Sequence, residues 1–383
     1  AEAFALVIRL QSVLTKHVSV VLAIASTEEI AHDVFETLND RGIGVASEDL
    51  IRNFLVLRAP APGLDEVDKH MESVWSLEPA LKVEDFLRHY WLSHEGDLKS
   101  RSLYRELKTT LTQRKTDCVQ FSRDLARVAD IYHRITNVED DDLQIQRYLD
   151  AAAALKASAL LPTLLSIWDL HESPSKTSKM KGKLLARQRR DVLRALVSLY
   201  VRHNVIGNLE STALEEMLFP LAKEIRTSRD LKGALERIRK FAPKDAEFKK
   251  AFSLAEVRRP EVARYLLREL ELARRPTNEL DVAQADLANL EHIYSRSPMP
   301  SNRIANMDEL VHRIGNLTLL AKRLNQKLGN DQFAVKQPHY SNSDILITKE
   351  LGDKSKFPTW DPLALEKRQV QFAEAAINIW SMS

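Results

Sequence analysis

Between residues 64 and 275, apolar residues recur three and four positions apart. That spacing gathers them on one side of a helix. VDKHMESVWSL, VEDFLRHYWLS, SRDLARVADIYHRI, ALLPTLLSIWDL, RRDVLRALVSLYVRH and RPEVARYLLRELELA all follow it. Each predicts an amphipathic helix, with aromatic residues such as Tyr90 and Trp91 turned into a core. No fixed-length repeat runs through the segment, so a solenoid is not expected.

The flanks are less uniform. AEAFALVIRLQSVL predicts a helix and VSVVLAIA (residues 18–25) a buried strand. TEEIAHDVFETLNDRG predicts a helix capped by Thr27 and stopped at Gly42, and SEDLIRNFLVLR a further helix opened by Ser47. APAPG (59–63) and RRPTNELD (274–281) break the pattern and mark two boundaries. Beyond the second, ANLEHIY and GNLTLL predict two strands. AKRLNQKLG predicts a helix ended by Gly329, and PLALEKRQVQFAEAAINIWSM a long amphipathic helix. Three parts result: 1–58, 59–275 and 276–383.

Composition narrows the function classes. The 383 residues carry 44% hydrophobic and 29% charged residues, an ordinary globular mix. Only 10 glycines argue against a fold rich in tight turns. A single cysteine, Cys118, excludes an internal disulfide or a cysteine-built zinc site and fits a reducing cytoplasm. No apolar run is long enough to span a membrane. The net charge of +2 provides no global basic field, so contact with nucleic acid has to come from local patches. The sequence opens at Ala1 without Met, which reads as entry into the middle of a domain.

The chemistry concentrates near the end. Glu291-His292 closes the first predicted C-terminal strand, Asn316 opens the second, and Asn325 follows on the next helix with eight residues between the two asparagines. A two-strand-plus-helix unit of this kind can build a metal-dependent nuclease site. The His draws a proton from water, an oxygen ligand on the helix holds a divalent ion at the scissile phosphate, and the first Asn pins the hairpin.

This EH…N-x8-N pattern resembles the HNH, or His-Me finger, nuclease motif. EHIY, HRIGNLTLLAKRLNQKLGNDQFAVK, Tyr340–Ser343 and the pattern Trp360, Arg368, Trp380 resemble the C-terminal nuclease domain of GmrSD-type restriction enzymes. That group includes modification-dependent type IV enzymes and relatives such as BrxU and SspE. IAHDVFETLNDRGIGVASEDLIRNFL is similar to the end of the ParB-like N-terminal domain of the same enzymes. Two departures stand out. Ser295 occupies the place of a frequent proline, with Pro298 coming later, and the Asp-Gly-Gln-Gln-Arg motif associated with nucleotide use is absent.

The resemblance implies a mainly α protein. Residues 1–58 would be the remnant of a ParB-like α/β domain, 59–275 a helical domain, and 276–383 a ββα-metal nuclease module. It implies a DNA endonuclease acting on phage-derived or modified DNA, with Mg²⁺ or Mn²⁺ as cofactor and NTP used by the intact N-terminal domain. Assembly with copies of itself is compatible with this, and a membrane partner is not expected. His292 is the expected base and Asn316 its orienting partner, while Glu291 and Asn325 are the expected metal ligands. His312 and His339 lack the motif spacing and are set aside. Lys336 is a candidate phosphate contact. Lys179, Lys181, Lys183, Arg187, Arg189 and Arg190, in the basic stretch 173–190, are candidate DNA-backbone contacts. Asn39, Arg41 and Gly42 are candidates for an N-terminal pocket, although Gly42 serves equally as a helix stop. Two other classes stay open: a catalytically silent DNA-binding protein, and a nucleotide-driven sensor whose C-terminal module transmits a signal.

Overall fold

In the computed structural model the described residues are 2–18, 47–78, 81–99, 103–172, 182–275 and 288–383. The expected strand at 18–25, the helix from Thr27 to Gly42 with Asn39 and Arg41, and Lys179 and Lys181 lie outside them, apart from Val18 itself.

The described chain is mainly helical, as the periodicity predicts. In order come α1 (Glu2–His17), α2 (Ser47–Arg58), α3 (Leu64–Trp75), α4 (Val83–Glu95), α5 (Leu103–Gln113), α6 (Cys118–Thr136), α7 (Leu143–Leu155) and α8 (Leu161–Glu172). Next are α9 (Gly182–Tyr200), α10 (Ser211–Ser228), α11 (Leu231–Phe241), α12 (Asp245–Phe252) and α13 (Pro260–Leu272). Local chemistry sets several ends. Asp117 caps α6 by accepting from the Val119 and Gln120 amides, and Asp142 caps α7. Gly96 ends α4 at φ 78°, a conformation glycine adopts without a side-chain penalty.

The helices pair through their apolar stripes. The face of α3 meets α6, and α8 packs on α10, which also covers α4. Tyr90 and Trp91 are each 3% exposed, as expected of core aromatics. Tyr90 donates to Asp124, which pairs with Arg127, and Asp169 forms ion pairs with both Arg127 and Arg226. This chain of charges ties α4, α6, α8 and α10 together.

The last part holds β1 (Ala288–His292), β2 (Leu317–Ala321), α14 (Lys322–Leu328), α15 (Phe333–Ser341), α16 (Leu346–Lys349) and α17 (Pro362–Ile379). Both expected strands form and pair antiparallel, with Glu291 opposite Thr318 and His292 opposite Leu317. Leu317 and Leu319 enter a large hydrophobic core, and Leu320 joins a smaller one with Ile293, Tyr340 and Trp360.

The two sequence boundaries do not separate cores. Ile51, Phe54 and Leu55 of α2 share the large cluster with Val67, Phe86 and Tyr104. Phe252, Tyr265 and Leu266, placed in the middle part by the sequence, share it with Leu317, Phe372 and Trp380. The reason lies in α17, which lays its apolar face on α12 and α13. Buried Arg202 adds a further tie by donating to the Trp380 and Pro243 carbonyls at 2.7 and 2.9 Å.

Candidate functional site

The site grows from the junction of β1 and β2. Asn316 ends the 3₁₀ turn that leads into β2 and is fully buried. Its side chain uses every hydrogen-bonding position it has. Oδ1 accepts from the Tyr294 amide at 2.9 Å and from Trp360 Nε1 at 3.0 Å. Nδ2 donates to the Tyr294 and Val311 carbonyls at 3.0 and 3.1 Å. The backbone adds Ile293 N to Asn316 O at 2.9 Å. Asn316 thus fixes the exit of β1 immediately after His292.

A second brace surrounds it. Buried Arg368 donates to the Gly315 and Leu317 carbonyls at 2.7 and 2.8 Å and to the Ile347 carbonyl at 3.2 Å. Burial pulls its guanidinium down to about 9, so the carbonyl cage carries the burden of a desolvated charge. Gly315 is required by close approach, because a Cβ there would stand 2.7 Å from the Leu365 carbonyl oxygen. The Trp360, Arg368, Trp380 pattern is therefore scaffold. Trp360 holds Asn316, Arg368 holds the turn, and Trp380 stacks on Phe252 and donates to Tyr265.

His292 is half-buried at the end of β1. Burial, reinforced by the positive charges of Arg296, His312 and Lys336, lowers its pKa to about 4. The imidazole is neutral across the physiological range and can accept a proton. His312, set aside on spacing, stands beside it with ring centroids 6.0 Å apart in an edge-to-face arrangement. The long link between the strands carries His312 back to the motif, a return that sequence spacing does not display.

Glu291 corrects an expectation. The strand is regular at this point, so consecutive side chains leave opposite faces. Glu291 is 4% exposed, and its Oε1 accepts from Lys336 Nζ at 2.7 Å and from the Tyr340 hydroxyl at 3.1 Å. Burial pushes its carboxyl up while Lys336 opposes the shift. A carboxylate already matched by an ammonium is a poor ligand for a dication. Lys336 needs the same correction. It is fully buried, and its ammonium also donates to the His292 carbonyl at 3.0 Å, so it does not face a phosphate at the surface. Together the two clamp the last residue of β1 from behind.

Asn325 lies on α14, and its Nδ2 donates to the Leu290 carbonyl at 3.2 Å. That bond anchors the amide at β1 and leaves its Oδ1 as an oxygen donor. Among the described residues no group of three His, Cys, Asp or Glu could hold a metal ion. Magnesium keeps several waters and takes substrate phosphate oxygens alongside one or two protein oxygens. An ion held in that way would take Asn325 Oδ1 as its protein oxygen, while Glu291 is already paired with Lys336.

The basic stretch divides. Arg189 is buried against Asp140, its guanidinium 4.1 Å from the Trp168 ring, so it is a core ion pair and not a DNA contact. Arg187 is 79% exposed and Arg190 37%, each near an aspartate of its own surroundings, Asp191 and Asp142. Lys183 lies in the first turn of α9. Ser295 replaces the expected proline with hydrogen bonds. Its hydroxyl donates to Asn330 Oδ1 at 2.7 Å and accepts from the Ser297 amide, which turns the chain out of the strand.

No curated protein matches the chain. A family model does, over about a third of its length, spanning α12, α13, both strands and most of α17. Residues 242–375 are similar to the C-terminal domain of the GmrSD restriction endonucleases.

Proposed function

We propose that this C-terminal region cleaves DNA phosphodiester bonds as part of restriction of foreign or modified DNA, with His292 as general base. The observation that carries the reading is the neutral, half-buried imidazole at the end of β1, its backbone pinned on both sides by Asn316 and Lys336. An imidazole carried on a fixed strand end and free of its proton at neutral pH can take a proton from an attacking water. Asn316 and Lys336 act through position and do not touch substrate.

Asn325 would contribute its amide oxygen to a Mg²⁺ or Mn²⁺ ion, which when bound stabilises charge on the leaving oxygen. By analogy with the HNH motif, products carry 5′-phosphate and 3′-hydroxyl ends. Control by nucleotide would belong to the N-terminal domain of the intact enzyme and draws on the family resemblance alone.

A second reading has one observation in its favour. The carboxylate next to His292 is spent on Lys336, which fits a module that binds DNA without cutting it. Plasmid nicking with Mg²⁺ or Mn²⁺ separates the two. The first reading expects nicking by the parent and a loss of at least about a hundredfold in His292→Ala. Equal nicking by both proteins removes His292 from the chemistry, and absence of nicking with retained DNA binding supports the second reading.

A further inference from the structure

His292 and His312 stand edge to face, with ring centroids 6.0 Å apart and planes at 80°. Both are half-buried. Neither imidazole takes part in a hydrogen bond or an ion pair among the described residues. The backbone around His312 is nevertheless fixed. Its carbonyl accepts from the Val257 amide at 2.8 Å, and the Val311 carbonyl before it accepts from Asn316 Nδ2 at 3.1 Å. Arg313 after it donates to the Ser253 carbonyl at 2.6 Å and to Gln369 Oε1 at 3.1 Å. The turn that carries His312 is thus fastened at three successive residues, and Asn316 fastens both this turn and the end of β1.

The surroundings are cationic. The charge of Arg296 reaches both rings, and that of Arg258 reaches His312. Arg258 is matched by Glu256 at 3.1 Å, so that carboxylate is already spent. Exposed Arg296 has no ion-pair partner among the described residues. Burial, then Arg258 and Arg296, lower the proton affinity of His312, with Glu256 opposing them. At neutral pH the ring is therefore uncharged, with one nitrogen donating and the other accepting. Two imidazoles with unused nitrogens beside an unpaired guanidinium suit an anion rich in acceptor oxygens. An oxygen about 2.9 Å from a nitrogen of each ring spans a gap of the size seen between them.

We propose that His312 donates a hydrogen bond to a nonbridging oxygen of the scissile phosphate while His292 takes the proton of the attacking water. The proposal rests on the nuclease reading. It gives the phosphate contact, which the sequence offers to Lys336, to a residue that the motif spacing leaves out. His312 keeps its proton throughout. A donor preset by the fold counts most as charge builds on that oxygen in the transition state.

The test is plasmid nicking by the full chain with Mg²⁺, with rates measured against plasmid concentration and pH. His312→Ala should lower kcat and kcat/KM alike by about a hundredfold. Its melting temperature should match that of the parent, because the side chain bonds nothing within the fold. His312→Gln, which keeps an N–H donor, should recover at least about tenfold of the loss. The acid limb of the pH profile should stay in place in His312→Ala, whereas a ring that only positions His292 would move it. Nicking by His312→Ala within about threefold of the parent overturns the proposal. A loss accounted for by a displaced limb overturns it too, as does the absence of recovery in His312→Gln. In those cases the nuclease reading stands as long as His292→Ala remains inactive. If the parent does not nick DNA, the nuclease reading falls and the role of His312 falls with it.

Discussion

Lys336→Met isolates the charge behind β1. The change keeps most of the side-chain volume and removes the ammonium, leaving Glu291 nearly buried with the Tyr340 hydroxyl as its remaining polar side-chain contact. Breaking a buried pair from one side costs about 3–5 kcal/mol. The protein has one escape, which is to protonate Glu291. Starting from an ordinary value of 4.5, uptake of that proton costs about 3.4 kcal/mol at pH 7, at 1.36 kcal/mol per pH unit. The same calculation gives about 1.4 kcal/mol at pH 5.5. The sign follows from linkage. In the variant the folded carboxyl titrates far above its unfolded value, so the folded state is penalised as pH rises above 4.5. The measurement is urea unfolding followed by Trp emission, comparing parent and variant midpoints at pH 5.5 and 7. The destabilisation should grow by about 2 kcal/mol between them, and Glu291→Gln in the Lys336→Met background should remove the pH dependence. A destabilisation equal at both pH values would show that the carboxylate does not depend on Lys336, and the clamp argument would fail.

Other outcomes follow from the same geometry. Asn316→Ala leaves the Tyr294 amide, Trp360 Nε1 and two carbonyls without a partner, so it should cost about 3 kcal/mol or more, read as a lowered midpoint of thermal unfolding. With His292 lowered to about 4, nicking efficiency should rise through that region and stay level to pH 8, and a limb near 6.5 would contradict a desolvated imidazole. The same depression means that the unfolded chain takes up the His292 proton first, so its contribution to stability falls as pH drops from 6.5 toward 4. Arg187→Ala should reduce the slope of log affinity against log salt for DNA by about 1, and an unchanged slope would show that exposed Arg187 meets no phosphate. Arg189→Ala should leave that slope unchanged and lower thermal stability, because its charge is spent on Asp140.

The sequence by itself determined the elements of the C-terminal region. ANLEHIY and GNLTLL read as strands beyond the polar break at 274–281 and Gly329 as the end of the next helix, and β1, β2 and the end of α14 form there, because short runs and glycine stops act on their nearest neighbours. It also placed His292 at a strand end and Asn316 at the entrance to the next, since motif spacing along a hairpin is itself a local measure. Tertiary structure alone decided which way the charges face. In sequence, Glu291 next to His292 looks like a shared ligand set, and Lys336 in a basic neighbourhood looks like a phosphate contact. The pleat turned Glu291 to the rear, where α15 brings Lys336 across 45 residues to meet it. His312 reached His292 by the same kind of long return. A charge in a sequence carries no address, and burial, which decides whether it seeks a partner inside or a ligand outside, belongs to the packed fold.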